Sequence, residues 1–229
     1  MTPAARPFAV DRTRAQSPRT VSAKGAVGEG SDARDERTAL SDAASDEALL
    51  AAYAAGDARA FADLYERHER PVYRYFLRQG AACAQADDLL QDTWLAVIRN
   101  AANFEPRAKF TTWLYTIARS KLVDHWRARD SAVSLDDAAN DPDDAAPLEI
   151  DAGEAHRPDV QALSRAQARA FVDAVEALPP AQKEAFLLQA EGGLTLEEIA
   201  AVTNTGHETV KSRLRYAMTK LRTAMEAWQ

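Results

Sequence analysis

A single cysteine, Cys83, in 229 residues rules out a disulfide framework and any thiolate-rich zinc site, and it fits a reducing compartment. The four histidines, at 68, 125, 156 and 207, lie too far apart for a metal-ligand spacing. No apolar run approaches the roughly 20 residues needed to span a bilayer, and no apolar core follows the N-terminal arginines as a secretory signal requires. Glycine is scarce, at nine, and few segments alternate in the period-two manner of strands. These absences predict a cytoplasmic, all-α protein with no membrane insertion, no metal and no cofactor.

Charge is plentiful but segregated. The net charge is −7, yet ten acids and one base, Arg157, fall between Asp130 and Val160. Interspersed with Pro142, Pro147, Gly153 and Pro158, this stretch is too polar to fold alone and reads as an acidic flexible linker over 130–159. Residues 1–44, rich in Arg, Ala, Ser, Thr and Pro without an apolar period, read as a disordered tail. Two small helical domains are therefore expected, at 45–129 and 160–229. In the first, Ser45 and Asp57 are good N-caps, Gly56 separates two helices, and helices are predicted from about Gln85 to Asn100 and from Thr111 or Thr112 to about Arg127. The third helix is expected to bury Leu89, Leu90, Thr93, Trp94, Val97 and Ile98. His68 reads as a satisfied core residue.

The second domain ends in a helix-turn-helix pattern. Thr195 and Glu198 form a capping box, Asn204-Thr205-Gly206 makes the turn, and Asn204 and Gly206 are residue types that tolerate a left-handed backbone. Val210, Leu214, Ala217 and Leu221 then form one apolar stripe. His207, Lys211, Ser212, Arg215 and Tyr216 are left outside it, with Thr209 and Arg213 in the same run. From His207 to Thr223 five Lys/Arg face one acid, Glu208, which suits a helix placed against phosphates in a DNA groove.

Two more constellations stand out in the first domain. Between Arg107 and Arg129 six bases face a single acid, Asp124, and aromatic residues are interleaved among them. Positive charge holds phosphates and aromatic faces stack on unpaired bases, so Lys109, Tyr115, Arg119, His125, Trp126 and Arg127 are candidates for single-stranded or melted DNA. Trp113, Leu114, Ile117 and Ala118 read as core. Upstream, Asp87, Asp88, Gln91 and Asp92 share the polar face of one helix, a docking surface for a basic partner. A carboxylate row of this kind can also hold Mg²⁺ on a diphosphate, as in isoprenoid-type enzymes, but the second carboxylate cluster those enzymes need is missing from the folded segments. A stand-alone helix-turn-helix regulator, the other alternative, needs neither constellation.

In order along the chain, Asp87-Asp88-Leu89-Leu90-Gln91-Asp92-Thr93-Trp94-Leu95, Phe110-Thr111-Thr112-Trp113-Leu114-Tyr115-Thr116-Ile117-Ala118-Arg119 and Thr209-Val210-Lys211-Ser212-Arg213-Leu214 resemble bacterial RNA polymerase sigma factors of the extracytoplasmic-function group, over about Asp46 to Glu226. The resemblance implies a promoter-specificity subunit with no enzymatic activity of its own. It implies that Asp87, Asp88, Gln91 and Asp92 dock on the clamp helices of the polymerase's largest subunit. Phe104, Lys109, Tyr115, Arg119, Ser120, His125, Trp126 and Arg127 would bind and open the downstream promoter element. His207, Thr209, Lys211, Ser212, Arg213, Arg215 and Tyr216 would read the upstream element in the major groove. The linker would thread the polymerase cleft, and an anti-sigma factor is a further partner such proteins admit. Ser120 stands where many relatives carry Asn, and Tyr216 and Asn204-Thr205 also depart from the family pattern.

Overall fold

The computed structural model describes residues 44–105, 109–133 and 158–228, which belong to one compact unit within Ser41–Gln229. Of the expected tail 1–44 and linker 130–159, residues 1–43 and 134–157 lie outside the described residues, as does Arg107, while 130–133 and 158–159 belong to helices. Among those described, all regular structure is helical.

Helix α1 (Asp46–Ala54) starts where the Ser45 hydroxyl accepts the Ala48 N–H at 3.2 Å, and the chain leaves it at Gly56 with φ +106°. That positive φ is one glycine adopts without steric cost. The Asp57 carboxylate then accepts the Arg59 N–H and opens α2 (Ala58–Arg78), which continues through Pro71. Helix α3 (Cys83–Asn100) begins with the Ala82 N–H donating to the Gln85 side chain, and a short 3₁₀ turn (Ala101–Asn103) follows it. Helix α4 (Phe110–Val133) is longer at both ends than its sequence pattern implies. Its first N–H, on Phe110, donates to the Glu47 carboxylate at 2.8 Å, so α1 supplies an anionic cap to a helix 63 residues further on.

Leu50, Leu64, Val72 and Phe76 pack with Trp94, Val97, Phe110, Leu114, Ala118 and Leu122 into the core of this first lobe. Leu89, Thr93, Trp94 and Val97 of α3 are buried as expected, but Leu90 is only half-buried and Ile98 is 38% exposed. The reason is that α2 and α4 cover only part of α3. Leu90 and Ile98 fall on its uncovered flank and line an open groove with Phe61, Tyr65, Asp87, Gln91, Trp94 and Leu95.

The second lobe holds α5 (Pro158–Glu176), α6 (Pro180–Ala190), α7 (Leu196–Thr203) and α8 (His207–Met225), closed by a 3₁₀ turn (Glu226–Trp228). Pro180 opens α6, where its missing N–H costs no helical hydrogen bond. Val175, Leu178, Ala185, Leu188, Ile199 and Val202 bury against the α8 stripe of Val210, Leu214, Ala217 and Leu221. The lobes touch through α2 with α6 and α4 with α7. No described helix is long and apolar enough to cross a membrane.

His68 is a core-edge residue, as expected. Its Nε2 lies 2.7 Å from Asp46 Oδ2, and Arg67 donates to Asp46 Oδ1 at 2.8 Å. Partial burial pushes the Asp46 carboxyl up, but the hydrogen bonds from His68 and Arg67 outweigh it and hold the group below its ordinary 3.8. A depressed carboxylate pKa adds stability that is fully present above the unfolded value and disappears as pH falls through the folded one. Asp46→Asn is therefore expected to cost about 1–2 kcal/mol at neutral pH. Urea unfolding should show the full deficit at pH 7 and a shrinking one as pH falls below the ordinary carboxylate value and through the depressed folded one.

Candidate nucleic-acid interface

The helix-turn-helix is built from short-range contacts. Thr195 Oγ1 accepts the Glu198 N–H at 3.3 Å, and the Thr195 N–H donates to Glu198 Oε2 at 2.8 Å, closing the capping box of α7. Asn204 adopts the left-handed conformation at φ 52°, ψ 50°. Gly206 does not: at φ −76°, ψ 148° it is the extended N-cap of α8, so only one of the two turn residues uses the left-handed region. Thr203, which has no obvious place in the sequence pattern, is buried in the turn, where its hydroxyl donates to Ile199 O at 2.7 Å and meets Thr205 Oγ1 at 3.0 Å.

On the outer face of α8, Thr209, Lys211, Arg215 and Tyr216 are exposed, and His207, Ser212 and Arg213 are half-buried. Ser212 donates to Thr209 O, which leaves its oxygen lone pairs facing outward. The Arg215 guanidinium sits 5.1 Å from the centre of the Tyr216 ring, a ring that is 52% exposed. This cation–π stack holds a long cationic side chain in one direction. Around the start of α8, His207 meets Glu197 at 3.2 Å and Glu208 at 3.4 Å, and Lys211 meets Glu208 at 3.6 Å. The backbone N–H of Glu197, then the Thr195 hydroxyl and His207, hold the Glu197 carboxyl below its ordinary range.

In the first lobe Asp87, Asp88, Gln91 and Asp92 are all exposed on α3, beside the open groove floored by Leu90 and Trp94. Among the described residues no three His, Cys, Asp or Glu converge as metal ligands.

The α4 candidates divide. Ser120 and Arg127 are exposed, the latter 3.8 Å from Asp124. His125 and Trp126 are half-buried with their rings 5.0 Å apart, and the Arg129 guanidinium lies 5.4 Å from the Trp126 ring centre. Phe104 is half-buried against Trp113 at 5.1 Å. Lys109 is exposed but pairs with Glu198 at 3.2 Å, and half-buried Arg119 donates to Glu184 at 2.8 Å. Tyr115 corrects the expectation of an accessible aromatic face. It is fully buried, edge-on to Tyr75 at 5.4 Å, and burial pushes its phenol pKa far up. The cause is the turn after α6: at Gly192 a Cβ would stand 2.9 Å from Tyr115 Cε2, so only glycine lets that backbone lie on the ring.

Sequence reasoning missed the residues around this contact. Arg74 and Arg78 both pair with Glu191, at 2.9 and 3.3 Å, across 117 residues in the case of Arg74. No local signal marks a pair so distant in the chain.

The family model described as sigma-70 region 2 matches residues 64–132, and that described as sigma-70, region 4, matches residues 168–221. The ECF RNA polymerase sigma factor RpoE of Cereibacter sphaeroides is 32% identical over 170 residues, 74% of this chain and 88% of the relative. The RNA polymerase sigma factor CarQ of Myxococcus xanthus is 34% identical over 166 residues, 71% of this chain and 87% of the relative. Among solved structures, that of CnrH in complex with the cytosolic domain of CnrY aligns with a TM-score of 0.54 at 25% identity, covering 80% of this chain and 97% of the other. The two family-model matches fall one on each lobe.

Loss of the Thr195 cap should loosen the helix-turn-helix without touching its outer face. Thr195→Ala is expected to lower unfolding stability by about 1 kcal/mol, read as a lower denaturant midpoint with an unchanged slope.

Proposed function

The chain belongs to the extracytoplasmic-function sigma factors, which direct RNA polymerase to promoters, and on that premise we propose a division of labour among its surfaces. The first lobe, opening at residue 45, docks on the polymerase and engages the downstream promoter element. The second, from about residue 160, reads the upstream element, and the acidic segment between them is the connecting linker. The chain acts as a binding subunit in the cytoplasm and performs no catalysis of its own. The stand-alone regulator and the magnesium-dependent enzyme are not favoured.

One observation carries the docking assignment: an exposed row of Asp87, Asp88, Gln91 and Asp92 borders an apolar groove holding Trp94, Leu90 and Ile98. Such a surface suits a helical partner with basic flanks and apolar anchors, as expected of the clamp helices. On α4 and the segment just ahead of it, Phe104, Lys109, Arg119, Ser120, His125, Trp126 and Arg127 combine cations with stacking rings for the opened strand, and buried Tyr115 is left out of that set. On α8, His207, Thr209, Lys211, Ser212, Arg213, Arg215 and Tyr216 face the major groove. CnrH was solved with the cytosolic domain of CnrY, and a comparable anti-sigma protein is a partner for this chain under the same proposal.

Replacing Asp88 and Asp92 together with lysine sets like charges against a basic partner, which costs several kcal/mol. The expected result is loss of core-polymerase binding in a fluorescence titration with an unchanged helical circular dichroism spectrum. Wild-type affinity in that titration removes the docking role.

Within α8 the two arginines should separate. Arg215 is exposed and stacked on Tyr216, which supports a base-edge reading for it, and half-buried Arg213 is assigned to the backbone under the same proposal. Arg215→Ala should erase about 1–3 kcal/mol of discrimination among single-base variants of the upstream element. Arg213→Ala should instead weaken all variants alike. Equal losses across the library for Arg215→Ala assign that residue to phosphate.

A further inference from the structure

We propose that Glu208, the acid in the first turn of α8, is a further specificity residue, whose carboxylate accepts the amino group of a cytosine in the major groove and selects that base at one position of the upstream element. The proposal rests on the reading of α8 as the helix that enters the upstream element, and adds to it a residue and a base preference.

The placement follows from the helix itself. Val210, Leu214, Ala217 and Leu221 are buried and fix which side of α8 faces the lobe. At about 100° per residue, Glu208 is the charged side chain of α8 that points most directly away from that stripe, and Arg215 lies only about 20° around from it. Ser212 and Arg215 follow Glu208 along the same outward face. Glu208 also leads the row, since α8 begins at His207 and the leading turn of a recognition helix is the part that meets base edges. Its side chain is 81% exposed, so nothing in the lobe screens it from a groove.

The neighbours of Glu208 aim it. His207 Nδ1 and Lys211 Nζ both approach its Oε1, at 3.4 and 3.6 Å, while His207 Nε2 meets Glu197 Oε1 at 3.2 Å and ties the group back to α7. Both contacts use one oxygen, and Oε2 has no ion pair among the described residues. An ionised carboxylate only accepts hydrogen bonds, so it pairs with amino groups on a base edge. Guanine and thymine present acceptors in the major groove, adenine sets the acceptor N7 beside its amino group, and cytosine alone offers an amino donor without an acceptor of its own. The same charge repels phosphate. Glu208 therefore weakens binding to DNA at large and offsets that loss only where its base is present, which is how an acid in a basic helix creates specificity. A first-turn acid also complements the helix dipole, a role that glutamine and alanine lose alike.

The test uses holoenzyme, the full chain with core polymerase, on a genomic promoter fragment that it transcribes, with the upstream element randomised, selected by binding and sequenced. Wild type is expected to enrich cytosine about tenfold over thymine at one position. Glu208→Gln should move that position toward adenine, because a carboxamide pairs with both N6 and N7 of that base, and Glu208→Ala should leave it degenerate. All other positions should keep their preferences. Circular dichroism melts of the two variants follow the helix start, where loss of the carboxylate moves both together, so base reading alone separates glutamine from alanine. Identical preferences at every position in all three proteins overturn the proposal and leave base reading to the other residues of α8. A wild-type holoenzyme that enriches no upstream sequence overturns the reading of α8 itself, and the role of Glu208 with it.

Discussion

Helix α4 has to satisfy two demands on one cylinder. Phe110, Leu114, Ala118 and Leu122 recur along it and bury into the first lobe, which fixes the rotation of every other residue on the helix. Lys109, just ahead of it, and Arg119, Ser120 and Arg127 along it are thereby carried to its outer flanks. Its start is pinned by Glu47 of α1, and α1 is held by the contacts of Asp46 with Arg67 and His68. The direction in which the cationic flank points therefore depends on a hydrogen-bonded chain running back to the first described helix. Disturbing that chain would move the cationic flank without altering any of its residues.

The same positive flank explains the contact between the lobes. Clustered cations attract any carboxylate within reach, and the second lobe presents three of them, Glu184, Glu191 and Glu198, beside a glycine that lets its backbone settle on Tyr115. The chain as a whole is acidic, so its few cationic surfaces sit among many possible internal partners. Helix α8 is organised differently. Its outward side chains pair mainly with one another and with Glu197 and Glu208 at the edge of the helix-turn-helix, while Thr209, Lys211, Arg215 and Tyr216 stay exposed to solvent.

What the sequence reveals follows the range of the forces involved. Ser45, Asp57 and Thr195 are read correctly as caps because each acts on an N–H two or three residues away. The stripe of Val210, Leu214, Ala217 and Leu221 is legible because helical periodicity alone sets it. The acidic row on α3 is exposed for the same reason. Ile98 lies on that helix and fits its apolar period, but its exposure depends on where α2 and α4 happen to end their cover. Tyr115 reads as a free aromatic face because nothing near it in the chain reveals Gly192, and Arg119 gives no hint of Glu184, 65 residues away. Gly206 marks the turn correctly, although its extended backbone shows that Asn204 alone supplies the left-handed step.

The most direct measurement is run-off transcription from genomic promoter fragments by core RNA polymerase, with and without the purified chain. The account predicts discrete transcripts that appear only when the chain is added, each starting downstream of a shared pair of sequence elements spaced for two linked DNA-reading lobes. Transcripts that do not depend on the chain, or a chain that binds those fragments and never directs initiation, would contradict it.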